Sequence, residues 1–108
     1  MNRELLILRH GKSDRASTSS DFHRPLKDRG KRGAQRIATW LWRAGRVPDH
    51  VVSSPAERAV ETARKACKAM GLSAGDVHED LRLYPGNLEA LLSVLAECPA
   101  RSRRIMLV

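Results

Sequence analysis

The chain has 108 residues, of which 42% are hydrophobic and 30% charged, enough for one core and too apolar for a disordered polypeptide. Its longest apolar runs, Leu5–Leu8 and Ile105–Val108, are too short to cross a bilayer, and the N-terminus lacks the basic stretch, apolar segment and cleavage site of a signal peptide. The formal charge of +8 is uneven, with 12 Lys and Arg against 4 Asp and Glu in residues 1–46 and 8 against 8 in residues 47–108, so the N-terminal half is the part that should attract anions.

Glu4–Arg9 reads ELLILR, an aliphatic run without alternation, which predicts a strand buried on both faces of a parallel sheet. From Gly11 to Pro25 the chain is rich in Ser, Asp, Arg and Lys and has no period, so Lys12–His23 is expected to form a mobile loop over the end of that strand. From Asp28 the pattern turns helical: Ala34, Ile37, Ala38 and Leu41 recur at three- and four-residue spacings, and Gly45 ends the helix. Gly30 and Gly33 weaken its first turns by about 1 kcal/mol each against Ala, a cost that either close backbone packing or simple tolerance would explain. Trp40 and Trp42 stand two apart and cannot both face the core, so one is expected to be partly exposed.

After a turn at Pro48–Asp49, His50–Ser53 predicts a second strand. Ser54-Pro55-Ala56-Glu57 then has the composition of a helix start, with Ser54 as cap, Pro55 in the first helical position and Glu57 closing a capping box. This helix runs to about Met70, with Ala59, Ala63, Ala66 and Met70 on its apolar face and Gly71 as its stop. Cys67 and Cys98 lie 31 positions apart without a CxxC or a His-x-His, which suggests no zinc site and no disulfide framework, and both are expected as buried, reduced thiols. Val77–Asp80 is a brief extended segment, Tyr84-Pro85-Gly86 a turn, and Asn87 a cap for a helix over Leu88–Glu97 with Leu88, Leu91, Leu92 and Leu95 in one stripe. A third strand follows at Ile105–Val108. The order describes an α/β fold, an open and mostly parallel sheet flanked by helices, in a single domain over residues 1–108.

In such sheets ligands bind beyond the carboxyl ends of the strands. The first strand delivers Arg9, His10 and Gly11 there; the second delivers Ser53 and Ser54, followed by a helix start with Arg58 on its first turn. A histidine between two arginines suits phosphoryl transfer. Guanidinium grips phosphate oxygens in pairs and stays charged, a neutral imidazole is nucleophilic near pH 7, and glycine beside it lets phosphate approach the backbone. His23, His50 and His78 have no comparable placement and are taken as structural or surface residues.

Leu8-Arg9-His10-Gly11 resembles the Arg-His-Gly signature of the histidine phosphatase superfamily, which includes the phosphoglycerate mutases. Arg24-Pro25-Leu26 with Arg29-Gly30, and Ser53-Ser54-Pro55 with Arg58-Ala59 and Thr62-Ala63, resemble two further motifs of its small bacterial branch, the SixA-type phosphohistidine phosphatases. The likeness runs in order from Leu5 to at least Leu83. It implies that His10 is the nucleophile that becomes phosphohistidine, that Arg9 and Arg58 bind and stabilise the phosphoryl oxygens, and that Gly11 and Ser13 lie against the bound phosphate. It implies no metal and no organic cofactor. The expected partner is a phosphorylated substrate, a phosphohistidine protein among the candidates; nucleic acid and membrane are not expected, and the expected location is cytoplasmic.

Two departures from the family pattern bear on function. Mutases and broad phosphatases of the superfamily carry an acidic residue after the second helix that protonates an alcohol leaving group, and Leu83 stands at about that place, with Glu79 and Asp80 nearby. A missing acid favours phosphoramidates, whose imidazole leaves more readily than an alkoxide. The expected activity is therefore hydrolysis of phosphohistidine or a related phosphoramidate through a phosphohistidine enzyme intermediate. The alternatives are a broader phosphomonoesterase or mutase of the same superfamily, and a non-catalytic phosphate-binding module. In the family, the strand matching Ile105–Val108 is followed by Gly-His, a second catalytic histidine, and here Val108 is the last residue. The resemblance thus implies a domain incomplete at its C-terminus, either a fragment or a shortened relative. A final strand without a covering helix predicts exposed apolar surface and a chain that associates or is marginally stable.

Overall fold

The computed structural model describes residues 3–9, 20–84 and 86–108. Four short strands, β1 (Glu4–Ile7), β2 (His50–Ser53), β3 (Val77–Glu79) and β4 (Arg104–Leu107), alternate with helices α1 (Asp28–Arg43), α2 (Glu57–Ala69) and α3 (Leu88–Glu97). Single 3-10 turns at Ala74–Asp76 and Leu81–Leu83 flank β3. The strands form one sheet in the order β1-β4-β2-β3, and every pairing is parallel.

That order fixes where the helices lie. The connections from β1 to β2 and from β2 to β3 step across the sheet in one direction, while the connection from β3 to β4 steps back. Since such crossovers are right-handed, α1 and α2 must share one face and α3 must take the other. The packing agrees. Leu8, Ala38, Leu41, Val51, Ala63, Ala66, Cys67, Met70 and Met106 form one buried cluster beneath α1 and α2, and Val52, Val94, Cys98, Ile105 and Leu107 form a second beneath α3. Alternate residues of β2 and β4 feed the two clusters, as the two-residue period of a strand requires.

Several local expectations are corrected by this arrangement. β1 is an edge strand with one covered face, so Leu8 is buried while Leu5 and Ile7 are exposed at 41% and 68%. β4, expected to end the sheet uncovered, lies between β1 and β2 with Ile105, Met106 and Leu107 all buried. Bare apolar surface exists, but on β1. Both tryptophans of α1 are exposed, because its buried face is Gly30, Ala34, Ala38 and Leu41, with Ile37 on the flank. Gly33 has open space where a Cβ would stand, so close packing does not explain it.

The start of α2 also differs. Ser54 forms no capping box with Glu57; its Oγ accepts from the Ala56 amide at 3.2 Å, and the Glu57 amide donates to the Phe22 carbonyl at 2.9 Å. The incoming segment before α1 thus satisfies an amide that a cap would have taken. α2 ends as expected, with Gly71 at φ +79°, and α1 ends before Gly45 at φ +70°. On α3 the Asn87 cap is present, its Oδ1 accepting from the Ala90 amide at 2.8 Å. Its buried residue is Val94, flanked by half-buried Leu91 and Leu95, and Leu88 and Leu92 face outward. Cys67 and Cys98 are buried and free. No helix among the described residues is long and apolar enough to cross a membrane.

Candidate active site

Hydrogen bonds carry the sheet past the formal strand ends. The Leu8 amide donates to the Leu107 carbonyl, the Val108 amide to Val52, the Ser54 amide to Val108 and the Asp80 amide to Ser53, all at 2.8–3.0 Å. The carboxyl ends of all four strands are therefore held level. The chain leaving β2 enters α2 on one face, whereas the chain leaving β3 goes toward α3 on the other. Such a divergence opens a crevice at the top of the sheet. A cavity of about 510 Å³ lies there, lined by Asp21, Ser54, Ala56, Arg58, Ala59, Leu83, Tyr84 and Val108.

Arg58 stands in this cavity on the first turn of α2, its side chain 12% exposed. Its backbone carbonyl accepts from the Thr62 hydroxyl at 2.7 Å, and Thr62 is itself buried. The guanidinium donates to the Asp21 carbonyl at 2.6 Å and to the Asp21 carboxylate at 3.3 Å. That same carboxylate accepts from the Tyr84 hydroxyl at 2.6 Å, and its other oxygen lies 3.0 Å from Arg24 Nη2. Asp21 thereby collects three donors from three segments of the chain. The Tyr84 hydrogen bond above all, with the Arg58 and Arg24 charges, holds the Asp21 carboxyl below its ordinary range, and the same bond pushes the Tyr84 phenol up. Phe22 stacks edge-on against Tyr84 at 5.2 Å and against His23 at 5.1 Å, bracing the segment that carries Asp21.

Arg9 follows the end of β1 and is exposed. β1 and β2 are separated by β4, so the Arg9 and Ser54 backbones stand about 10 Å apart at two strand spacings. Arg9 and Arg58 are thus delivered to the same edge on either side of β4. His10, Gly11 and Ser13, as well as residues 12–19 of the expected loop, lie outside the described residues. Ser53 and Ser54 are buried at the end of β2, where the Ser53 hydroxyl donates to the Ser54 carbonyl at 2.7 Å, so both serve the turn.

Neither acid considered as a proton donor is free. Asp80 accepts two side-chain hydrogen bonds from Arg82, at 3.0 and 2.7 Å, and these hold its carboxyl below the ordinary value. Arg82 also grips Glu97 at 2.6 and 2.8 Å, tying the turn after β3 to the end of α3. Glu79 lies 3.9 Å from Arg64 on the exposed edge. Leu83 itself forms part of the cavity wall. Sequence reasoning missed Asp21 and Tyr84. Asp21 sits three residues before Arg24 in a stretch without period, and Tyr84 belongs to a Tyr-Pro-Gly turn; an acid spaced for an arginine and an aromatic beside a turn were the available signals.

Among the described residues no three His, Cys, Asp or Glu side chains are grouped as a metal site. The arrangement has the chemistry of an oxyanion seat. A guanidinium and a phenol converge on one carboxylate at the top of a parallel sheet, with a second arginine, Arg9, delivered by the edge strand on the far side of β4.

The sequence pattern of the histidine phosphatase superfamily, branch 1, matches residues 5–93. No curated protein matches the chain by sequence. Among solved structures, the protein assigned as phosphohistidine phosphatase SixA of Agrobacterium tumefaciens is 28% identical with a TM-score of 0.87, and the likeness covers 100% of this chain and 69% of that one. The corresponding protein of Nakamurella multipartitia is 32% identical with a TM-score of 0.76, covering 98% of this chain and 58% of that one. A mycobacterial glucosyl-3-phosphoglycerate phosphatase shares the fold at 23% identity and a TM-score of 0.67, covering 98% and 73%. The chain spans 58% and 69% of the length of the two SixA proteins. With the pattern matched over most of its length and the strand-end crevice in place, the chain belongs to branch 1 of the histidine phosphatase superfamily.

Proposed function

We infer that this chain carries the phosphoryl-binding part of a phosphatase that hydrolyses phosphohistidine or a related phosphoramidate. The observation that carries the reading is the seat of the Asp21 carboxylate, an anion held by Arg58, Arg24 and the Tyr84 hydroxyl at the head of the parallel sheet. A phosphoryl group offers the same donors more oxygens and more charge. His10, next to Arg9 at the end of β1, attacks phosphorus through one ring nitrogen. The P–N bond to the substrate imidazole breaks as the P–N bond to His10 forms, and the leaving imidazole takes its proton from water. Water then attacks the phosphoenzyme, releasing phosphate and restoring His10. Arg9 and Arg58 offset the charge on the equatorial oxygens, while Gly11 and Ser13 border the phosphate.

The substrate class rests on the lack, among the described residues, of a free carboxylic acid where the family's alcohol phosphatases carry one. At the family's position for a carboxylic acid, Leu83 lines the cavity, and nearby Asp80 is held by Arg82 with its pKa lowered, which favours an imidazole, a readier leaving group than an alkoxide. The test is to incubate the chain, beside His10→Ala, with a phosphohistidine peptide labelled in the phosphoryl group and to follow released phosphate and acid-labile label on the protein. Release or label that depends on His10 is expected. Equal signals from the two proteins, or a preference for sugar phosphates over phosphohistidine, would sink the reading.

A further inference from the structure

The solvent face of α1 carries a feature that the phosphoryl site does not use. Arg29, Arg32, Arg36, Trp40 and Arg43 are all exposed and share a window of roughly 80° around the helix, diametrically opposite Gly30, Ala34, Ala38 and Leu41. The ridge is about 21 Å long at the rise of an α-helix. None of these four guanidiniums pairs with a described carboxylate, although Arg24, Lys31, Arg46, Arg58, Arg64, Arg82 and Arg104 all do. Asp28 is the one acid of α1, and it lies beside Lys31 instead. Trp40 is 63% exposed in a chain with four aromatic rings of Phe, Tyr and Trp, two of which brace the site. Along the ridge runs a shallow concavity of about 480 Å³, bordered by Arg32, Gln35, Arg36, Thr39, Trp40 and Arg43.

We propose that this ridge docks an acidic surface of the protein substrate, the solvent face of a helix rich in Asp and Glu being the shape that fits. Arginine and tryptophan are the residues that dominate binding energy in protein interfaces, and an indole set among unpaired guanidiniums supplies both apolar area and charge complementarity. Position supports it too. Asp21, in the segment leading into α1, lines the phosphoryl cavity, and α1 runs from that edge back down the side of the sheet. A protein with its phosphorylated side chain in the cavity therefore has the ridge beside it. A membrane fits less well, because Trp40 and Trp42 point roughly 200° apart around the helix and cannot enter one plane. Identification of the partner as substrate rests on the reading of the site given above; the docking itself does not.

The test pairs kinetics with direct binding, using Arg32→Glu with Arg36→Glu in one chain and Trp40→Ala in another. All three positions are solvent-facing and outside the phosphoryl cavity. KM for an acidic protein phosphorylated on histidine is expected to rise about tenfold in both variants, with turnover of a small phosphoramidate unchanged. Quenching or shift of indole fluorescence by a Glu-rich helical peptide is expected in the parent chain, weakening with salt and lost in the charge-reversed variant. If the peptide binds this way but no phosphohistidine substrate is ever hydrolysed, the docking surface stands and the functional reading falls. Equal losses on protein and small substrate, no response to the peptide, or tighter ridge-dependent binding of single-stranded RNA or phosphatidylserine vesicles than of the peptide would overturn the proposal.

Discussion

Asp21 is the side chain on which the site turns. Its carboxylate accepts from Arg58 and Tyr84, so under the proposed function a phosphoryl ligand binds there only when Asp21 yields, and apparent affinity is lowered by the fraction of molecules in which it has not. Asp21→Asn removes the charge and keeps the size; titration with inorganic phosphate or orthovanadate should then show binding about fivefold tighter. Weaker binding would mean that Asp21 helps to hold the ligand. Because the folded state lowers the Asp21 pKa, its contribution to stability is present above the ordinary value of 3.8 and is lost as pH falls through the folded value, so the contact is intact at neutral pH. Cys67 illustrates the opposite environment. Burial pushes its thiol up to about 11, and a disulfide reagent at pH 8 should label it only after denaturation, with labelling of the native chain showing that the core opens. The places of Arg9 after β1 and Arg58 on the first turn of α2 were legible in the sequence because strand ends and a helix start can be located by pattern, while His10 lies outside the described residues. Asp21 and Tyr84 were not, since nothing local links residues 63 positions apart that meet only once the sheet has formed.

At the scale of elements, sequence patterns located three of the four strands and the three α-helices, with β3 foreseen as a brief extended segment only, and went wrong where a neighbour supplied what local chemistry was expected to supply. The capping box at Ser54 failed because Phe22 offered its carbonyl to Glu57. The leucine stripe of α3 turned so that Val94 faces Val52, Ile105 and Leu107, leaving Leu88 and Leu92 outside. Periodicity identifies a helix, but the shape of the opposing sheet decides which side of a broad apolar stripe is covered. Gly33 shows the reverse case, a local cost that no neighbour explains. With open space at its Cβ position and no positive φ, Gly33→Ala should stabilise the chain by roughly 0.5–1 kcal/mol, read as a higher denaturant midpoint with an unchanged slope.

For the whole molecule, the fold class was legible because continuous aliphatic runs alternating with amphipathic segments have few other solutions. The strand order was not, and with it went the location of the bare edge. That surface is the outer face of β1, where Leu5 and Ile7 stand exposed, and Ile7 also borders a hollow of about 270 Å³ with Leu83, Leu91 and Leu107. Residues 1–108 in isolation should associate through this face. Sedimentation at rising concentration should show dimers or larger species, and Ile7→Lys should shift the distribution toward monomer; a parent chain that stays monomeric with a sharp unfolding transition would exclude it. The two imidazoles of His50 and His78 stack at 4.8 Å across the other end of the sheet. Burial, with the neighbouring His78 charge, lowers the His50 pKa, so the unfolded chain binds the proton more readily and stability should fall as pH drops below about 6.5. Denaturant midpoints compared at pH 7.5 and 5.5, with His50→Gln abolishing part of the difference, measure this.

The central position of β4 reaches beyond the resting structure. Glu4 pairs with Arg104 and His50 with Ile105, so the strand that joins β1 to β2 comes after β3 and after α1, α2 and α3. During synthesis β2 can pair with β3 as soon as residues 77–79 clear the ribosome, whereas β1 meets its partner in this sheet only when residues 104–107 follow, nearly a hundred positions later. Joining β1 to the rest of the sheet is then one long-range closure, slow by topology, and until it happens the aliphatic face of β1 is open to chaperones.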